Sequence, residues 1–92
     1  MYTCFVEYRV ALEFRGAYVE WMERIRESDN SFILYEGTDQ PGLFVEVWHA
    51  DSLERGKALK EERCSESSPW AGMFKYVQGG KDKIHAWVFR AC

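Results

Sequence analysis

The chain has 92 residues, a formal charge of −3 and both signs mixed along its length, which excludes a second hydrophobic core and a basic stripe for gripping nucleic acid or an anionic membrane. Its hydrophobic share of 47% is that of a globular protein, but 16% of the residues are aromatic. A chain this short buries only roughly 60–65% of its unfolded surface, so those rings call for a partner surface or an apolar pocket as well as a core.

Tyr2 to Val10 reads as a strand, because β-branched and aromatic residues dominate it and polar ones recur at Thr3, Glu7 and Arg9. From Glu13 the period changes. Phe14, Ala17, Tyr18, Trp21, Met22 and Ile25 share one helical face, and Ser28, Asp29 and Asn30 end the helix by competing for backbone hydrogen bonds. Phe32 to Glu36 and Leu43 to His49 are two further strands. The loop between them, Gly37 to Gly42, has the glycines and proline of a hairpin, so they should be antiparallel neighbours.

Asp51 or Ser52 caps a second helix running to about Cys64, with Glu54 completing an Asp-x-x-Glu capping pattern. Its apolar face is weak. Leu53, Gly56, Leu59 and Cys64 share an arc with Lys60 and Arg63, which predicts edge packing or snorkelling stems. Ser65 to Gly80 is irregular, yet Trp70, Met73, Phe74, Tyr76 and Val77 make it too apolar to lie uncovered. Lys83 to Arg90 closes the chain as a strand in which Ile84, Ala86 and Val88 alternate with His85, Trp87 and Phe89.

The order β-α-β-β-α-β predicts one ferredoxin-like α+β domain over residues 1–92, a four-stranded antiparallel sheet with two helices on one face. Strand alternation assigns the faces. Cys4, Val6, Leu43, Val45, Val47, Ile84, Ala86 and Val88 form an aliphatic register suited to lie beneath helices. Phe5, Glu7, Arg9, Ile33, Tyr35, Phe44, Glu46, Trp48, His85, Trp87 and Phe89 form the other, aromatic with charges embedded. Such a face suits burial against a second copy of the chain, two sheets closing into a barrel that can hold a cavity, since a patch of that size is uncommon on a monomer.

Within that face Glu7, Glu46, Arg9 and His85 are the candidate catalytic residues. A desolvated Glu can act as general base toward a phenol or enol, with His85 or Arg9 stabilising the oxyanion. The structural alternative is a Glu–Arg or Glu–His pair that fixes strand register or the interface. Tyr35, Trp48, Trp87 and Phe89 are candidates to line an aromatic-ligand pocket, with core or interface packing as their other use.

His49, at the end of a strand, reads as a surface residue, and two isolated histidines without HxH or HExxH spacing predict no metal. Cys4, Cys64 and Cys92 are odd in number, widely spaced and without CxxC, and no signal-peptide pattern is seen, which predicts a cytoplasmic protein. No apolar run approaches the ~20 residues of a membrane span.

In its element order, its aromatic sheet face and the Trp-bearing loop before the last strand, the whole chain resembles the dimeric α+β barrel superfamily, which includes antibiotic biosynthesis monooxygenase-like proteins. The segments carrying the likeness are Phe5-Val6-Glu7-Tyr8-Arg9-Val10, Leu43-Phe44-Val45-Glu46-Val47-Trp48, Pro69-Trp70 and Ile84-His85-Ala86-Trp87. The resemblance implies a homodimer acting without a cofactor on a small aromatic molecule, in a pocket between sheet and helices or in the dimer barrel. It also implies that Trp70 or Trp48 stands for the pocket tryptophan of oxygenase members. Haem ligation does not carry over, because the haem-degrading branch uses an Asn on the first strand and a His on the second helix, and this chain has neither. A non-catalytic ligand binder or structural homodimer is the alternative.

Three other uses of this topology lack their residues. An RNA-recognition domain needs a basic-Gly-aromatic run on the third strand, where Gln40-Pro41-Gly42-Leu43-Phe44 has no basic residue. An acylphosphatase-like anion cradle would replace Ala11 to Gly16, which reads as a helix start. A copper carrier needs MxCxxC.

Overall fold

The computed structural model describes residues 1–92. Strand β1 (Tyr2–Arg9) leads through a 3-10 turn at Leu12–Phe14 into helix α1 (Arg15–Ser28), then β2 (Phe32–Glu36), β3 (Leu43–Ala50) and helix α2 (Leu53–Cys64). Two 3-10 segments, Pro69–Tyr76 and Lys81–Lys83, precede the last strand, β4 (His85–Arg90). The four strands form one antiparallel sheet in the order β2-β3-β1-β4, which is the predicted ferredoxin-like α+β arrangement.

Local chemistry accounts for the element ends. Asp29 closes α1 and its carboxylate accepts the Ser31 backbone N–H at 3.1 Å, the local turn bond that competes with helix continuation. Ser52, not Asp51, caps α2, its hydroxyl accepting the Arg55 N–H at 3.1 Å. In the β2–β3 loop Gly42 has φ 89°, and a Cβ there would meet the Val10 carbonyl oxygen at 2.6 Å. Only glycine allows this loop to lie against the end of β1, where Val10 N–H donates to the Gly42 carbonyl at 2.7 Å.

A continuous core of 16 buried hydrophobic residues lies between the sheet and the cover formed by α1, α2 and Pro69–Tyr76. Tyr18 of α1 packs on Phe44 with ring centroids 4.6 Å apart, and Met22 follows it one turn later. Phe14 and Ala17 are exposed, because α1 starts only at Arg15 and turns its buried stripe to Tyr18 and Met22. The Pro69–Tyr76 segment is covered as its composition requires, with Trp70 and Met73 buried.

The face assignment of β3 differs from the sequence reading. Cys4 pairs with Trp48, Val6 with Glu46 and Tyr8 with Phe44, so Phe44, Glu46 and Trp48 lie under the helices while Leu43, Val45 and Val47 are half-buried on the open face. A period-2 strand has only these two choices, and shifting by one exchanges every side chain. Arg63 decides between them. It is fully buried rather than snorkelling, and it brings the counter-charge that lets Glu46 sit in the core.

Candidate functional site

On the open face of the sheet, β1 runs between β3 and β4 and places Glu7 opposite Val45 on one side and His85 on the other. Arg9 follows two residues on, on the same face, and Phe5 precedes Glu7 by two. The turn before β4 brings up Gln78, Gly79 and Lys83, and together with Glu7, Tyr8, Arg9 and His85 they line a depression of about 340 Å³. Gly79 has φ 84°, and a Cβ there would meet Lys83 Cγ at 2.5 Å, so glycine makes room for the lysine stem. Arg9 is held by a 2.5 Å hydrogen bond from its Nη2 to Gln40 Oε1, and its carbonyl accepts the Gln78 N–H at 2.7 Å.

Glu7 also borders a second depression, lined otherwise by Phe5, Val45, Trp87 and Phe89. Phe5 and Phe89 meet edge to face at 5.3 Å, and the His85 and Trp87 rings lie 6.1 Å apart and near parallel. Tyr35 (54% exposed), Phe89 (53%), Ile33 (46%) and Trp87 (43%) leave this face aromatic and open. A polar pocket and an apolar platform therefore adjoin at Glu7.

The helix-covered face holds a second polar group, wholly enclosed. Glu46 Oε1 accepts Trp48 Nε1–H at 2.9 Å and Arg63 Nε–H at 2.7 Å. Its Oε2 accepts the Tyr8 hydroxyl at 2.5 Å and Arg63 Nη2–H. Tyr8, whose single O–H donates to Glu46, accepts from the Tyr18 hydroxyl at 2.5 Å. The Arg63 guanidinium lies 4.0 Å from the Trp70 ring centre and touches Met73 Sδ at 3.2 Å, while its Nη1 has no partner.

Burial, followed by the nearby Glu46 charge, pushes the Tyr8 phenol well above its ordinary range. Burial also raises Tyr18. Burial alone would lower Arg63, but the Glu46 carboxylate outweighs it and the guanidinium is held more firmly protonated. Cys4, beside this group, is pushed up to about 11 by burial and then by the Glu46 charge. The centre is an ion pair with its hydroxyls protonated.

The structure thus brings Glu7, Arg9 and His85 together and sets Glu46 apart on the other side of the sheet. Glu46 is fully buried and receives four donors, which leaves its carboxylate no site for a substrate proton. Trp48 and Trp70 wall this closed centre, whereas Tyr35, Trp87 and Phe89 stand on the open face. Lys83, Gln78 and Tyr8 were not singled out from the sequence, and Tyr18, Arg63 and Met73 were read there only as packing residues. Tyr8 could have been, since it alternates in phase with Cys4 and Val6.

No protein-family model matches the chain, and no curated protein matches it. Solved structures do. A Deinococcus radiodurans protein assigned as an antibiotic biosynthesis monooxygenase superposes over 100% of this chain and 93% of its own, with a TM-score of 0.71 at 13% identity. A second structure, of an antibiotic biosynthesis monooxygenase, covers 100% of this chain and 99% of its own, with a TM-score of 0.72 at 9% identity. At these identities the likeness is one of fold, the ferredoxin-like α+β subunit. No helix is long and apolar enough to cross a membrane.

Proposed function

We propose that the chain is a cytoplasmic homodimer that binds a small aromatic molecule on its open sheet face, in the manner of a dimeric α+β barrel. The observation that carries this reading is the junction at Glu7 of a polar depression and an aromatic platform, on a sheet face that no helix covers. A second copy laid on that face would take Trp87, Phe89, Tyr35 and Ile33 out of water and leave the polar depression at the rim as an entrance. Glu46 and Arg63 belong to the scaffold in this reading. They bind each other, and their burial fixes how α2 docks on the sheet.

A second reading, cofactor-independent oxygenation, is favoured by the fold shared with two structures named as monooxygenases. Glu7 is then the base that takes a proton from a phenol or enol, Arg9 and His85 hold the oxyanion, and dioxygen takes the substrate's electrons. Tyr35, Trp87 and Phe89 hold the ring.

The two readings part on one experiment. Small phenols are screened by thermal shift, and the binders are incubated aerobically with oxygen uptake followed. Binding without uptake supports the binder. Uptake that Glu7→Gln abolishes supports the oxygenase, and no shift with any phenol overturns both.

A further inference from the structure

We propose that the molecule bound at this face is an aromatic acid, its ring on Phe5 and Trp87 and its carboxylate in the depression between Arg9, Lys83 and His85. This rests on the binder reading above and adds the ligand's charge to it. Apart from Tyr8, whose hydroxyl turns into the core, four ionisable residues line the depression, and three of them, Arg9, Lys83 and His85, offer N–H donors against the single carboxylate of Glu7. Glu7 faces His85 directly across the β1–β4 pair. Against the one carboxylate of Glu7 the depression sets two permanent cations, Arg9 and Lys83, an excess of one positive charge.

The geometry supports a fixed place for that excess. Arg9 is tethered through one Nη2–H to Gln40 at 2.5 Å, which orients a planar fork suited to a carboxylate. Lys83 is threaded past Gly79, where any Cβ would collide with its stem at 2.5 Å. The apolar platform begins at Glu7 and continues through Phe5 and Trp87, which pair in register on adjacent strands. A ring joined directly to a carboxylate has the shape of this juxtaposition, flat and apolar at one end and doubly accepting at the other.

Benzoate and benzamide serve as probes, nearly equal in shape and differing in charge, titrated into the full-length protein by NMR chemical-shift mapping. Benzoate is expected to bind about tenfold or more tighter, the margin of a charge-assisted contact over a neutral one. Lys83→Gln and Arg9→Gln should each bring benzoate toward benzamide and leave benzamide where it was. Raised salt should narrow the gap. Equal affinities, or a preference for benzamide, overturn the acid while the binder reading stands. If neither probe shifts resonances of Phe5, Trp87 or His85, the binder reading falls and this inference with it.

Discussion

Arg63, in the last turn of α2, crosses the core to grip the carboxylate of Glu46 with Nε and Nη2, and both side chains are completely buried. Removing one charge strands the other, which in buried pairs costs about 3–5 kcal/mol, whereas removing both by apolar residues of similar volume is far less harmful. Glu46→Leu and Arg63→Met should each lower stability by that amount. The double variant Glu46→Leu/Arg63→Met should recover more than half of the loss, the remainder reflecting the Trp48 N–H and the Tyr8 O–H, both deprived of the acceptor they share. Urea unfolding of the four proteins tests this, and additive losses would show that the pair does not act as a unit.

A different carboxylate governs acid behaviour. Glu36 binds Arg15 with two hydrogen bonds at 2.6 and 2.9 Å and also accepts the Gly42 N–H at 3.0 Å. The Arg15 bond first, and the Gly42 bond second, lower its pKa from 4.5 to about 2. The stabilisation is therefore complete above about pH 4.5 and is lost as pH falls toward 2. Since the pair lies at the surface, with the Arg15 side chain 44% exposed, the effect is small and salt-sensitive. Glu36→Gln should lower the urea midpoint at pH 7 and match the parent protein at pH 2. A constant difference across that range would refute the assignment.

Helix α2 lies so close to β4 that a Cβ on Gly56 would meet Val88 Cγ1 at 2.8 Å. In an open helix Gly→Ala gains about 1 kcal/mol, but forcing a methyl into packed space costs about 1–3 kcal/mol. Gly56→Ala should therefore be neutral to destabilising instead of stabilising. In the Val88→Ala background the same change should turn favourable, a reversal that thermal denaturation of the four proteins would reveal.

The proposed dimer has its own test. Trp87→Glu places a charge on the open face, away from the folded core, and should turn a sedimenting dimer into a monomer while far-ultraviolet circular dichroism stays the same. A parent protein that sediments as a monomer at micromolar concentration would end the barrel reading.

Cysteine reactivity separates the buried thiol from the exposed one. Cys4 is fully buried and pushed up to about 11, so it should react with a disulfide reagent at pH 8 only on unfolding, while the exposed Cys92 reacts at once. Two rapid equivalents that include Cys4 in the folded protein would contradict the packing around Glu46.

Much of the architecture was legible because it rests on local chemistry. The switch from period 2 to helical period after β1, the glycines and proline between β2 and β3, and the Ser52 cap each act within a few residues. The face of β3 was not legible. Leu43, Val45 and Val47 look like the helix-covered core, and Glu46 looks like part of the partner-facing side, until Arg63 is known to arrive from 17 residues away. That one long-range pair reverses the strand, and with it the candidate site lost Glu46 and Trp48 while keeping Glu7, Arg9 and His85 together. Lys83 was missed because its place depends on the turn at Gly79, where backbone shape and not side-chain pattern sets the geometry.

The four tryptophans divide unequally between the two faces of the sheet. Trp21 and Trp48 both lie against Trp70, at 5.9 and 5.4 Å between ring centres, whereas Trp87 stands alone on the other side. The three clustered indoles should exchange excitation and be quenched together, with a near-ultraviolet dichroism band that vanishes when the Pro69–Tyr76 segment lifts. Emission from Trp87 would then be an intrinsic optical probe of whatever covers the open face, requiring no added label.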